Sequence, residues 1–234
     1  MTSTPVGRLI AFSGIDGAGK STQIAALRHY LSARGWTVSQ VAFWEDAALL
    51  PSFRAGVSLR VLAKSSQSGT SLRNDKNVRI WYLTLIRSVF YVLDALRLRA
   101  VVARLKRSGA DFIILDRWSY DQLVHIDSRN WLAHAYIRAV FALAPSPEIP
   151  LVLDATPEEA FQRKPEYPLP FLREYRQGFL ALKTFVPRLR IISPGSVDEV
   201  HRRIVETVLE QQPARFSAMT AINPGRQESV SGSP

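Results

Sequence analysis

The chain has 234 residues, 47% of them hydrophobic, which is enough to bury one sizeable core. It has no cysteine, so a disulfide frame and a thiolate metal site are both excluded. Lys and Arg number 30 against 20 Asp and Glu, a formal net charge of +10 that attracts polyanions such as nucleotides.

The first residues lack the charged region and long apolar run of a secretory signal. The first strand is expected at "RLIAF", Arg8 to Phe12, followed by "FSGIDGAGKSTQ" and a helix in which Ile24, Leu27 and Leu31 recur at helical spacing. Gly14 to Ser21 fits G-x-x-x-x-G-K-[ST]. Glycines at 14, 17 and 19 let successive backbone N–H groups turn inward around phosphate oxygens. Lys20 adds a point charge, Ser21 offers a hydroxyl to Mg²⁺, and the positive end of the following helix favours the same anion. Gly14, Gly17, Ala18, Gly19, Lys20, Ser21 and Thr22 are therefore the expected binding residues for a nucleoside triphosphate with Mg²⁺.

Beyond the helix, Gly35 announces a second strand over Trp36 to Phe43, and the Ser-rich stretch from Lys64 to Asn74 reads as a loop. From Asp75 to Arg107 neither Gly nor Pro appears, which predicts one long helix or two abutting ones. Its apolar part, Ile80 to Leu93, is shorter than the roughly 20 residues a membrane span needs and carries Arg87. A cytoplasmic protein without a membrane partner is expected. The basic run Arg97 to Arg107 places Leu98, Val101, Val102 and Leu105 on one face. No aromatic is interleaved there to stack on bases, so no specific nucleic acid is expected.

Further strands are expected at Asp111 to Asp116, Ile149 to Ala155 and Arg188 to Ser193. Strands separated by helices imply an α/β fold of three layers, a five-stranded parallel sheet flanked by helices. The domain is expected over residues 1–211, with a polar, Gly/Pro/Ser-rich tail over 212–234 that reads as disordered.

The third strand delivers Asp116 and Arg117 to the crevice outside the sheet, where open α/β folds bind ligands. An acid there orients Mg²⁺ through water, and an arginine grips phosphate bidentately. The plainer alternative is an Asp116 that caps the next helix and pairs with Arg117.

"FSGIDGAGKSTQ", then "LDRWSYD", "LVLDATPEEAFQRK" and "FLREYRQGFLAL", in that order, resemble the thymidylate kinases and their relatives among P-loop nucleoside monophosphate kinases over roughly residues 8 to 210. The resemblance implies a P-loop NTPase fold with a short lid, and phosphoryl transfer from ATP with Mg²⁺ to a nucleoside monophosphate, dTMP above others. It leaves a deoxynucleoside kinase, or a nucleotide-binding regulator or nucleic-acid-associated NTPase, as alternatives, and admits a homodimer. No Asn-Lys-x-Asp guanine-reading motif is present.

Carried over by position, the resemblance places Asp16 near the acceptor's sugar hydroxyl and gives Lys20 and Ser21 the phosphate and the metal. It gives Asp116 the metal's water shell and Arg117 the acceptor phosphate. Some members carry a catalytic arginine inside the loop, where this chain has Ala18. The missing charge is expected from a lid between Pro157 and Phe171, from Arg163 first, with Lys164, Arg173 and Arg176 nearby. After the second strand, "FWEDAALLPSFRAG" keeps Glu45 but lacks the family's glycine pair. Glu45 and Arg87 complete the expected acceptor site, with Arg54 as a substitute. An Arg87–Asp94 structural pair and a base-stacking role for Phe43, Trp44, Trp81 or Tyr82 are the other readings of that region.

Overall fold

The computed structural model describes residues 7–43, 46, 81–124 and 131–210, without the side chains of 81–87, 120 and 122. Glu45, Arg54, the Ser-rich stretch and the tail therefore lie outside the described residues, as do the side chains of Arg87, Trp81 and Tyr82.

Five strands form one parallel sheet in the order β2-β3-β1-β4-β5. They are β1 (Arg8–Ser13), β2 (Val38–Ala42), β3 (Phe112–Asp116), β4 (Ile149–Leu153) and β5 (Arg190–Ile192). Each lies where the sequence places a strand, shorter by a residue or more at one or both ends except at β1, which gains Ser13. The helices are α1 (Lys20–Ser32), α2 (Trp81–Arg107), α3 (Ser119–Leu123), α4 (Trp131–Leu143), α5 (Pro157–Arg163), α6 (Leu169–Ala181) and α7 (Val197–Glu210). The long Gly-free and Pro-free stretch thus forms one continuous helix over its described part.

A strand buried on both faces must be apolar at every position, and β1 shows the result. Leu9 and Ala11 face one core with Val41, Leu98, Val102, Ile113, Leu115 and Phe179. Ile10 and Phe12 face the other, with Ile24, Leu27 and Leu31 of α1 and Ile204 and Val208 of α7. At about 1.5–3 kcal/mol for each fully buried Leu, Ile or Phe side chain, these two layers dominate the stability of the fold. On α2, Leu98 and Val102 are buried while Arg97, Arg99 and Arg104 are exposed, so the basic run is a solvated face. No described helix is long and apolar enough to cross a membrane.

The central strand is β1, and the loop leaving its carboxyl end emerges between the ends of β3 and β4. That placement brings Asp16, Lys20, Asp116 and Arg117 to one end of the sheet.

One packing contact tests how tightly α6 is seated. Gly178 faces Val124, and a Cβ built there would collide with the Val124 Cγ1 and lie 2.9 Å from its carbonyl oxygen. Alanine would gain about 1 kcal/mol of helix propensity. Overpacking costs about 1–3 kcal/mol, and here backbone must move, so the clash wins. Gly178→Ala should lower the melting temperature by several degrees in a thermal scan; an unchanged or raised value would show that α6 shifts freely.

Candidate active site

The loop from Gly14 to Gly19 is built by backbone constraint. Gly14 has φ +136 and its missing Cβ would lie 2.5 Å from the Leu153 carbonyl, so the turn sits directly on the end of β4. Gly19 is left-handed at φ +83 with nothing near its Cβ position; conformation and not space demands glycine there. It precedes α1, whose first turn has neither a side-chain cap nor an acidic residue. A helix of thirteen residues thus presents its first amides and its positive end uncontested, which suits an anion.

Lys20, the first residue of α1, turns back over the loop. Its ammonium donates to the Gly14 carbonyl at 2.7 Å and the Ile15 carbonyl at 2.8 Å, with the Asp16 carboxylate 3.9 Å away. Burial, with the Arg117 guanidinium second, lowers its pKa to about 8 against the pull of Asp121, Asp16 and Asp116. Ser21 and Thr22 are exposed beside it.

Register along β3 brings Asp116 level with Phe12, two residues before the loop. Arg117 follows in an unusual state, the one described non-glycine residue with a positive φ, at 68. Such a conformation costs about 1–3 kcal/mol and persists only where surroundings enforce it. Here its N–H donates to the Phe12 carbonyl at 3.0 Å, and its guanidinium bonds the carboxylates of Asp16 and, at 3.4 Å, Asp121. Burial pulls the guanidinium's pKa down, but Asp121 and Asp16 outweigh it and hold Arg117 firmly charged. The alternative in which Arg117 simply pairs with Asp116 is therefore not what forms. The partners are the loop acid and an acid one helical turn further on.

Asp121 is the residue that sequence reasoning missed. Its side chain is 1% exposed, and it accepts a 2.6 Å hydrogen bond from the Ser13 hydroxyl as well as the contact from Arg117. Burial pushes its pKa up, while Arg117, Lys20 and the Ser13 hydroxyl pull it back. Its two oxygens are engaged separately, one by the Ser13 hydroxyl and the other by the Arg117 guanidinium. The only hint in the sequence is its i,i+4 spacing from Arg117.

The segment read as a lid, Pro157 to Phe171, comprises α5, residues 164–168 and the first three residues of α6. Thr156 caps α5 by accepting from the Glu159 N–H at 3.4 Å, with Pro157 at the first helical position. Of the four cations expected there, Arg163 reaches the loop, its Nη1 3.4 Å from the Gly17 carbonyl and its Nη2 3.7 Å from Glu159. Lys164 pairs with Glu166 at 3.1 Å. Arg173 pairs with Glu158 at 2.7 Å, and Arg176 forms a two-pronged pair with Asp154, at 2.6 and 2.7 Å. Phe43 is fully buried in the core, which removes it as a base-stacking ring. Asp94 is likewise fully buried.

The donors fit a triphosphate carried with Mg²⁺. No group of three metal-ligating His, Cys, Asp or Glu side chains occurs among the described residues, and Mg²⁺ needs none: it keeps several waters and takes one or two protein oxygens plus phosphates. Ser21 stands at the start of α1 and Asp116 at the end of β3, both at the end of the sheet from which the loop emerges.

No family model matches the chain. In sequence it is 25% identical to a probable thymidylate kinase of Pyrococcus abyssi, covering 86% of this chain and 96% of that protein. It is 26% identical to a thymidylate kinase of Caldanaerobacter subterraneus, covering 87% and 96%. In fold it resembles the thymidylate kinase of Candida albicans, with a TM-score of 0.58 at 20% identity over 88% of this chain and 92% of that one. That of Ehrlichia chaffeensis gives 0.53 at 20% identity over 87% and 100%. In both sequence and fold, the chain is thymidylate kinase-like.

Proposed function

We propose that the chain is a nucleoside monophosphate kinase that moves the γ-phosphoryl of ATP to dTMP, giving dTDP. The observation that carries this reading is the meeting of Lys20, Asp16, Arg117 and Asp116 at the carboxyl ends of two adjacent strands. A phosphate loop alone would serve any nucleotide-binding regulator. An acid and an arginine placed beside it, where a second ligand would lie, suit a reaction with two substrates. The relatives' names supply dTMP as the acceptor.

ATP with Mg²⁺ supplies the transferable phosphoryl when bound. In this reading the amides of Gly17 and Gly19 and the N-terminus of α1 receive the phosphates, and Lys20 and the Ala18 amide, which donates to the Ile15 carbonyl at 3.2 Å, exchange their loop carbonyls for phosphate oxygens. Ser21 and Thr22 flank them, and Ser21 and Asp116 hold the metal, Asp116 through water. Asp16 accepts from a sugar hydroxyl and Arg117 binds the acceptor phosphate, with Glu45 and Arg87 completing that site. Arg163, already beside Gly17, brings the positive charge that Ala18 does not provide.

The deciding experiment offers the purified protein ATP and Mg²⁺ with each nucleoside and nucleoside monophosphate in turn. ADP should form fastest with dTMP. Preference for a nucleoside would make it a deoxynucleoside kinase, and no acceptor-dependent ADP at all would remove the kinase reading.

The same proposal assigns the activity to residues 1–211 and places the enzyme in the cytoplasm, with its nucleotide substrates. Truncation after residue 211 should leave turnover and melting temperature essentially unaltered; a clear loss of either would give the tail a role. A homodimer completes the proposal, with Val89, Leu93 and Leu96 exposed at i, i+4 and i+7 on α2 as the candidate surface. Sedimentation velocity should give twice the monomer mass, and a monomer at working concentrations would rule the dimer out.

A further inference from the structure

Arg117 is shared by two carboxylates that differ in what else can reach them. Asp16 keeps 11% of its side chain exposed and Asp121 1%. A ligand arriving from solvent meets the edge of Asp16 and the exposed part of Arg117, and never Asp121. Asp121 is also fixed from several sides. Its carboxylate takes the Ser13 hydroxyl from β1, its N–H donates to the Trp118 carbonyl at 2.9 Å, and its own carbonyl accepts from the Tyr175 hydroxyl of α6 at 3.4 Å.

We propose that Asp121 is a positioning residue for the acceptor, the permanent counter-ion that holds Arg117 in place when a ligand hydroxyl draws Asp16 away from it. This rests on the reading that Asp16 and Arg117 meet the acceptor. A hydroxyl that donates to Asp16 competes with the guanidinium for the same carboxylate. With Asp16 as its sole partner, Arg117 would have to lose its charged hydrogen bond or shut the ligand out. Asp121 bonds the other edge of the guanidinium, through Nη1 where Asp16 uses Nη2, so one partner can be given up and the second kept. The left-handed backbone at Arg117, tied to Phe12, fixes the other end of the same side chain.

The test is a double-mutant cycle on the full chain with Asp121→Asn, Arg117→Ala and the two combined, measuring initial rates against dTMP and against ATP. Asp121→Asn should raise KM for dTMP about tenfold or more and leave KM for ATP within about twofold. In the Arg117→Ala background the same substitution should change neither by more than about twofold. An undiminished effect in that background, or an equal rise in both KM values, would overturn the proposal, because Asp121 would then act through general packing. Should Asp121→Asn fold poorly, the cycle is read on melting temperature. The double variant should melt above Arg117→Ala, which leaves the buried Asp121 carboxylate without its cation, and a double variant that melts no higher overturns the pairing. A parent protein without acceptor-dependent ADP would sink the proposed function instead, while the melting cycle would still decide whether Asp121 holds Arg117.

Discussion

Replacing Lys20 with alanine should reduce turnover by at least about 10³-fold while the protein stays folded. The two halves of that expectation have separate causes. The ammonium sits over the loop within 2.8 Å of two of its carbonyls, where a bound triphosphate would carry its charge, and no other lysine is described there. Its removal takes a full positive charge from a site where water cannot replace it. Stability is another matter, because burying this cation is itself unfavourable. A pKa lowered from 10.5 to about 8 corresponds to roughly 3 kcal/mol against the charged form. That relief offsets much of the loss of two charged hydrogen bonds, each worth about 1.5–3 kcal/mol. ADP formation and a thermal melt on the same sample check both halves. Turnover near the parent rate would take the loop out of the chemistry, and a collapsed melt would make Lys20 a structural residue.

Arg163→Ala should lower kcat by about 10²-fold or more with little change in ATP affinity, the pattern of a contact made only as the phosphoryl moves. Arg163 is the lid cation that already touches the loop, while its exposed pair with Glu159 is of the kind worth at most about 1 kcal/mol and easily given up. Arg176 is held by both oxygens of Asp154, and Arg173 by Glu158. Arg173→Ala and Arg176→Ala should therefore affect turnover less than Arg163→Ala. Parent-level kcat in Arg163→Ala, Arg173→Ala and Arg176→Ala alike would move the transition-state charge to Arg117, Arg87 or the metal alone.

The ranking of these arginines shows what the sequence carried and what it did not. The loop was legible because its chemistry is contiguous: Gly14 to Ser21 must lie together in any fold, and the strand and helix on either side follow from local periodicity. Asp116 and Arg117 were legible because a short apolar run ending in charge, between helical patterns, reads as a buried strand that delivers its last residues to the carboxyl end of the sheet. Asp121 was not. In a five-residue helix with an acid in its first turn, a solvated residue near the N-terminus is the ordinary expectation, and only the fold shows Ser13 arriving from β1 to make it a buried ligand of Arg117. The capture of Arg176 by Asp154 was equally hidden, since it joins the residue after β4 to α6 across 22 residues. Pairings of that kind depend on tertiary placement, which no spacing rule contains. Glu45 and Arg87 remain expectations from resemblance alone.

Asp16, Lys20, Arg117 and Asp121 carry two positive and two negative charges that cancel, with Asp116 a further acid beside Lys20, so the chain's excess of +10 resides elsewhere. Ionic strength should therefore separate attraction from grip. The outer field that draws anions inward decays over about 8 Å at physiological salt and shortens as salt is added. The contacts inside the cluster are shorter than that and shielded by protein, so salt scarcely reaches them. Such a molecule would lose speed of capture in concentrated salt, seen as a falling kcat/KM, and keep its turnover once filled.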